Sequence, residues 1–288
     1  MKHQIRSLAH AMYKEAIPVK KIGILLKAEK LLSTYEYTTF SKFKTDFGFS
    51  YFAGINSSSK IIKGKKKDFN TLILYLSASN NAGVDICSHA STGCRLACLV
   101  ESGHSRMDNF QKVPRIHISR MVKTWLTVYR RDIVEKVLSH EIKAGKKKFK
   151  NFVVRLNGTS DLDFYSIYAK FPKIQFYDYT KNPNRIPLDN YHLTFSFSQS
   201  NKARMAHYKQ AIEREQAIAF AIRKDDFKRA LQLPECFSMD DTDLRFLDIG
   251  KYGLLKVKLT GNEQSGVDNG FILSFDQLKE IINQIESK

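Results

Sequence analysis

The chain has 288 residues, 43% of them hydrophobic, and carries 47 Lys and Arg against 29 Asp and Glu for a formal net charge of +18. That apolar share is enough for a real core, in one large domain or two small ones. No run approaches the ~20 apolar residues of a membrane span, the basic start has no leader-type apolar stretch, and four cysteines with three clustered make no disulfide framework; a cytoplasmic protein with no membrane partner is expected.

Residues 1–68 read as a basic lead-in. Helical spacing places helices over Gln4–Glu15 and Ile22–Leu32, and the aromatic stretch Thr38–Phe52 reads as packing rather than a base-stacking platform. The lead-in closes on the run KGKKK, with Lys63, Lys65, Lys66 and Lys67, and a second run, KKKFK, brings Lys146, Lys147 and Lys148. A field of this sign draws polyanions, so nucleic acid is the expected partner and these lysines its expected contacts. The competing reading is a solvated basic surface with no specific partner.

Residues 69–288 read as an α/β core domain. Strand-like runs recur at Thr71–Leu76, Phe152–Leu156, Ile174–Tyr177, Leu193–Phe197, Ala217–Ile222 and Leu254–Leu259, with a long helical stretch at about Pro114–Ala144. The alternation predicts a mainly parallel sheet, either closed into a barrel or open.

The first run leads into CSHASTGCRLACL, which gathers Cys87, Cys94 and Cys98, while Cys236 lies far away in sequence. Thiolates at one strand end suit a soft metal centre, zinc or an iron–sulfur cluster. Three ligands leave a coordination position open, and His89 or His104 are candidates for a fourth. The bland alternative is three free thiols.

Parallel sheets bind ligands at the carboxyl ends of their strands. The loops after the next three runs are small and polar: Asn157-Gly158-Thr159-Ser160-Asp161, then Asp178-Tyr179-Thr180-Lys181, then Ser196 to Ser200. They are expected to border one cleft with the cysteines, toward which the lysine runs would guide a polyanion. Gly158 would let its backbone approach a small anionic or zwitterionic cofactor, with Asn157, Thr159, Ser160 and Ser198 around it. Asp161 and Asp178 are candidate catalytic carboxylates. The bland reading of NGTSD is a turn in which Ser160 or Asp161 caps a helix over Leu162–Lys170. A separate acidic group, MDDTDLRFLD, offers Asp243 and Asp248 as general bases or cation ligands, against a plain acidic turn paired to Arg245.

The order LSAS, CSHASTGCRLACL, ESGHSR, VRLNGTSD, QFYDYTK, YHLTFSFS and DDTDLRFLD resembles the bacteriophage gene-product-88 family over about residues 70–260. That resemblance implies a phage or prophage source and, by itself, little chemistry. The cysteine loop also resembles, with one extra residue, the C-x6-C-x2-C loop of another phage family grouped with radical S-adenosylmethionine enzymes. That second resemblance implies a partial (β/α) barrel with a [4Fe–4S] cluster on Cys87, Cys94 and Cys98 and S-adenosylmethionine on the open iron. Asn157 and Gly158 would occupy the place of the family's glycine-containing motif. Three functions follow: a cluster-bearing, radical-type enzyme modifying nucleic acid or a nucleotide, a non-enzymatic nucleic-acid-binding protein with a structural zinc, and a metal-dependent nuclease or hydrolase using Asp178, Asp243 and Asp248.

Overall fold

The computed structural model describes residues 1–57, 61–62, 67–98, 107–198, 204–257 and 267–287. The chain opens with α1 (Lys2–Lys14), α2 (Pro18–Ser33) and α3 (Phe40–Phe47). Pro18 sits in the first turn of α2, where its missing N–H costs nothing. The Thr39 side chain caps α3 by accepting from Lys42 N–H, and Gly48 ends it at φ 67. Phe43, Phe47, Phe49 and Phe52 are buried, so the aromatic stretch is core. Ile5, Ala9 and Met12 join Leu72, Trp125 and Val154 in the same apolar cluster, which packs the lead-in onto the sheet.

The sheet is built from β1 (Gly54–Ile55), β2 (Asn70–Ile73), β3 (Phe152–Arg155), β4 (Gln175–Thr180), β5 (Tyr191–Ser196), β6 (Ile218–Ile222), β7 (Cys236–Ser238), β8 (Tyr252–Lys256) and β9 (Ile272–Leu273). Their order is β1-β2-β3-β4-β5-β6-β8-β7, with β9 also on β6. Among the described strands, only β1 runs antiparallel to its neighbour. This is the expected α/β, mainly parallel architecture. Strands β2 to β6 lie side by side in chain order, like one arc of a β/α barrel, but β1 and β7 are edges and the sheet stays open.

Between the strands run α4 (Thr92–Leu96), α5 (Arg115–Tyr129), α6 (Arg131–Lys148), α7 (Tyr165–Lys170), α8 (Arg204–Glu213) and α9 (Phe227–Ala230), with α10 (Phe275–Glu286) last. The long helix expected over Pro114–Ala144 is two, because Arg130 leaves the helical region at φ −136 and ψ 53. Its guanidinium instead binds the Leu32 carbonyl at 2.9 Å and the Tyr35 carbonyl. No helix among the described residues is long and apolar enough to cross a membrane.

Register divides the sheet into two faces. Leu72, Val154, Phe176 and Tyr191 stand in one row and pack in the cluster that includes α5 and α6. Farther along, Phe195, Ile218 and Tyr252 stand in another row and pack with Tyr208 of α8 and Leu278 of α10. The opposite face carries Val153 and Tyr177, covered by Leu244 and Phe246 around a 3-10 turn, Arg245–Leu247. The crossover from β4 to β5, residues 181–190, contains no helix. Arg185 fills that space, its guanidinium buried beside Asp161 at 2.6 Å and Asp178 at 3.8 Å.

Candidate functional site

Because β2, β3, β4 and β5 are parallel, the segments that follow them emerge on one rim. The cysteine loop leaves β2 and lies directly on the NGTSD loop that leaves β3. Asp161 N–H donates to the Ile86 carbonyl at 3.0 Å, and the Cys87 thiol lies 3.9 Å from the Thr159 carbonyl. Arg95, between two of the cysteines, staples the loop. Its guanidinium meets Asp85 at 2.9 Å, the Cys87 carbonyl at 3.1 Å, the Ala90 carbonyl at 3.4 Å and the Ser79 hydroxyl. The Ser91 hydroxyl accepts from Cys94 N–H at 3.2 Å and caps α4. A Cβ on Gly93 would lie 2.7 Å from Phe271 and 3.0 Å from Asn269, so the segment before β9 presses on this helix. The Phe271 ring also lies 5.1 Å from the Lys181 ammonium, which donates to Ser196 Oγ at 2.6 Å and to the Phe197 carbonyl at 3.0 Å.

Cys87, Cys94 and Cys98 are all partly exposed on this rim. Burial pushes the Cys87 thiol up to about 12, against a Ser79 backbone contact; Cys98, Asp161 and Cys94 nearby add to the rise. At neutral pH Cys87 therefore carries its proton, which a metal would have to displace. Cys236 starts the edge strand β7, at the far side of the sheet from β2. Among the described residues no group of three or more His, Cys, Asp or Glu stands in a metal-holding arrangement. The three thiols are thus right in kind and share a rim, but as they lie they form no closed ligand set. His89 contacts the Ser88 hydroxyl at 3.1 Å. His104 falls outside the described residues, as do Lys63, Lys65 and Lys66.

The NGTSD side chains are turned inward. Asn157 N–H and Nδ2 donate to the Asp178 carboxylate at 2.8 and 3.0 Å, and Asn157 Oδ1 accepts from Ser160 and Leu162, both at 2.8 Å. Thr159 Oγ1 donates to the Leu76 carbonyl at 2.6 Å. Gly158 N–H donates to the Leu74 carbonyl at 3.0 Å, and a Cβ there would lie 2.8 Å from that oxygen and 2.7 Å from the Tyr75 ring. The glycine serves close packing on β2, which corrects its expected use as a backbone donor to a ligand. The helix-cap reading is corrected too: α7 starts at Tyr165 after Phe164, with no side-chain cap. Asp161 accepts instead from Thr180 Oγ1 at 2.9 Å, Lys181 N–H at 2.8 Å and Arg185 at 2.6 Å. Ser198 is buried and bonded through its backbone to the Tyr208 hydroxyl.

Asp178 is a fully buried hub on the helix face, also reached by the Tyr168 hydroxyl at 3.1 Å and the Tyr191 hydroxyl at 3.3 Å. Burial raises its carboxyl, against Arg185, Arg155 and Asn157. Asp243 and Asp248 lie with the turn that covers the opposite face. Asp243 pairs with buried Arg155 of β3, and Asp248 with Arg245 at 3.1 Å. The sheet therefore separates Asp178 from Asp243 and Asp248, and they do not form one metal site. Arg155, Arg185 and Arg95 are site residues that are not among the candidates drawn from the sequence motifs. A charge inside the apolar run FVVRL was the signal for the first, and a position inside the cysteine motif the signal for the third.

The described lysines are placed against expectation. Lys146, Lys147 and Lys148 end α6 just before β3, and Lys67 lies just before β2. Both sit at the amino end of the sheet, opposite the cysteine rim, because α6 runs back down before β3 starts.

An open, singly wound α/β sheet with a thiol-bearing loop docked at its carboxyl rim defines the class. The chain belongs to the gene product 88 family, a phage family whose match spans residues 54–272. No curated protein and no solved structure matches it.

Proposed function

We propose that this phage protein acts on nucleic acid or a nucleotide in the bacterial host cytoplasm, with its chemistry at the carboxyl rim, where Cys87, Cys94 and Cys98 hold a thiolate-ligated iron–sulfur or other soft-metal centre. One observation carries the reading: the loop that leaves the first parallel strand with three cysteines is bonded, through Ile86 and Thr159, to the loop that leaves the second. That is the position at which α/β sheets bind ligands. A [4Fe–4S] cluster with S-adenosylmethionine is the enzymatic form of the proposal. The net charge of +18 supports a polyanionic substrate.

A second reading is a binding protein with zinc at the same thiols. The rim carboxylates favour it, because Asp161 and Asp178 are committed to internal donors and neither is poised as a base. Anaerobic purification followed by absorption spectroscopy and analysis for iron, sulfide and zinc separates the two. Brown protein with iron and sulfide supports the enzyme. Colourless protein with one zinc supports the binding protein. Metal-free protein from cells grown with added iron and from cells grown with added zinc removes both.

A further inference from the structure

The basic segments and an unassigned cleft share the amino end of the sheet. Lys67, Lys146, Lys147, Lys148 and Lys150 are exposed there. Asn70 N–H donates to the Asn151 carbonyl at 2.8 Å and Asn151 Nδ2 to Asp68 at 3.1 Å, which ties the segment bearing Lys67 to the segment bearing Lys146–Lys150. Positive charge at the end of α6 is favoured by the helix dipole, but Lys67 and Lys150 lie outside any helix and extend the patch beyond what capping needs.

Where β4, β5 and β6 begin, a cleft of about 270 Å³ is lined by Gln175, His192, Arg214, Gln216 and Phe246 among others. Gln216 is 4% exposed, and its side-chain amide nitrogen is buried with no hydrogen-bond partner. His192 Nε2 is buried and likewise without a partner. Burial and then Arg245 push the His192 ring down to about 4, so at neutral pH it is an uncharged imidazole that can accept as well as donate. The Phe246 ring is fixed by Phe69 at 5.4 Å and Tyr177 at 5.5 Å. An aromatic wall, a neutral imidazole and a buried amide with donors to spare suit the edge of a heterocyclic base. Neighbouring strands are about 4.8 Å apart, so the start of β3, just after Lys150, lies roughly 10 Å along the sheet from the cleft at β4 to β6; a nucleic-acid strand running from Lys146–Lys148 to Phe246 also passes round the amino edge from the helix face to the opposite face.

We infer that the amino end of the sheet is a single-stranded nucleic-acid surface, with Lys67, Lys146, Lys147, Lys148 and Lys150 on the phosphates and one unstacked base in the cleft between Phe246, His192 and Gln216. This rests on nucleic acid being the partner, and places it at the end of the sheet opposite the thiols. A paired base inside a duplex is not free to enter such a cleft, which selects single strands.

The test is fluorescence anisotropy with labelled 15-nucleotide single-stranded DNA and RNA across a salt series. Lys146→Ala/Lys147→Ala/Lys148→Ala is compared with an equal charge loss on exposed α2, Lys20→Ala/Lys27→Ala/Lys30→Ala. The first variant is expected to bind at least tenfold more weakly at low salt and to lower the logarithmic salt slope by about 2. The α2 variant is expected to change affinity less than threefold. Gln216→Leu, checked for folding by circular dichroism, is expected to weaken binding about tenfold with the slope unchanged, as loss of a base contact requires. Equal weakening by the two triple variants, or wild-type binding by the first, overturns this placement and leaves the partner reading standing. Wild-type protein that binds neither DNA nor RNA overturns both, and the thiol centre is then judged on metal content alone.

Discussion

Asp161 N–H donates to the Ile86 carbonyl at 3.0 Å, one residue before Cys87. The bond fixes the cysteine loop to the carboxyl end of the neighbouring strand. Arg95 completes the frame from the other side through Asp85 and the Cys87 and Ala90 carbonyls. The rim is thus a docked pair of loops, and its properties can be tested piece by piece.

The first expectation concerns Gly158. An added Cβ would press on the Leu74 carbonyl and the Tyr75 ring, both fixed parts of β2 and its continuation. Gly158→Ala should cost about 1–3 kcal/mol by overpacking. Denaturant unfolding of the two proteins checks it, and a difference under about 0.5 kcal/mol would show that the loops are not tightly docked.

Asp243 offers a contrast between a structural and a catalytic carboxylate. It pairs with Arg155, and both side chains are buried. Asp243→Ala strands the cation and should destabilise by about 3–5 kcal/mol, whereas Arg155→Met/Asp243→Leu together should cost much less. A stable Asp243→Ala protein would return this residue to the list of catalytic candidates.

Much of the architecture was legible from the sequence, for reasons these residues make plain. Runs such as FVVRL and LTFSF are short, β-branched or aromatic, and separated by helical spacing, so strands β2 to β6 and β8 and their parallel pairing followed. The meeting of the cysteine loop with NGTSD followed from parallel strands alone. What was not legible depends on contacts distant in sequence. Arg130 breaks a continuous helical pattern because two carbonyls of the α2 end accept its guanidinium. Asp161 and Asp178 look like cleft carboxylates until Arg185, in the next crossover, is seen between them. The two-residue strands β1 and β9 carry too little pattern to be read. The place of Lys146 to Lys148 depends on which way α6 runs, and that sets this run at the opposite end from the thiols.

Stability should depend on pH through Glu141, in the second half of α6. Glu141 accepts from Phe52 and Ala53 N–H, both at 2.7 Å, beside the buried ammonium of Lys123. Burial raises Glu141 from its ordinary 4.5 to about 7, and lowers Lys123 from 10.5 to about 8. A raised carboxyl gives stability that is present below pH 4.5 and lost as pH rises through 7. A lowered amine gives stability that is present above pH 10.5 and lost as pH falls through 8. This pair should contribute least between pH 7 and 8. Glu141→Gln should flatten the fall in stability between pH 5 and 7 measured by denaturant midpoints. A wild-type slope retained in the variant would contradict the assignment.

Thiol reactivity tests the staple. With metal removed by chelation, Cys87 should react slowly with a disulfide reagent at pH 8, since burial holds its thiol up near 12. Arg95→Ala removes the contacts to Asp85 and to the Cys87 and Ala90 carbonyls, and should speed Cys87 labelling at least tenfold while the melting temperature moves little. Unchanged labelling would mean that the loop holds its shape without Arg95.

The most direct measurement of the central claim is metal and sulfide content per chain in anaerobically purified wild-type protein and in Cys87→Ala, Cys94→Ala, Cys98→Ala and Cys236→Ala. A shared rim centre predicts that each of the first three loses bound metal while Cys236→Ala keeps the full complement. Full metal content in any of the first three, or loss in Cys236→Ala alone, would contradict a centre at the carboxyl rim.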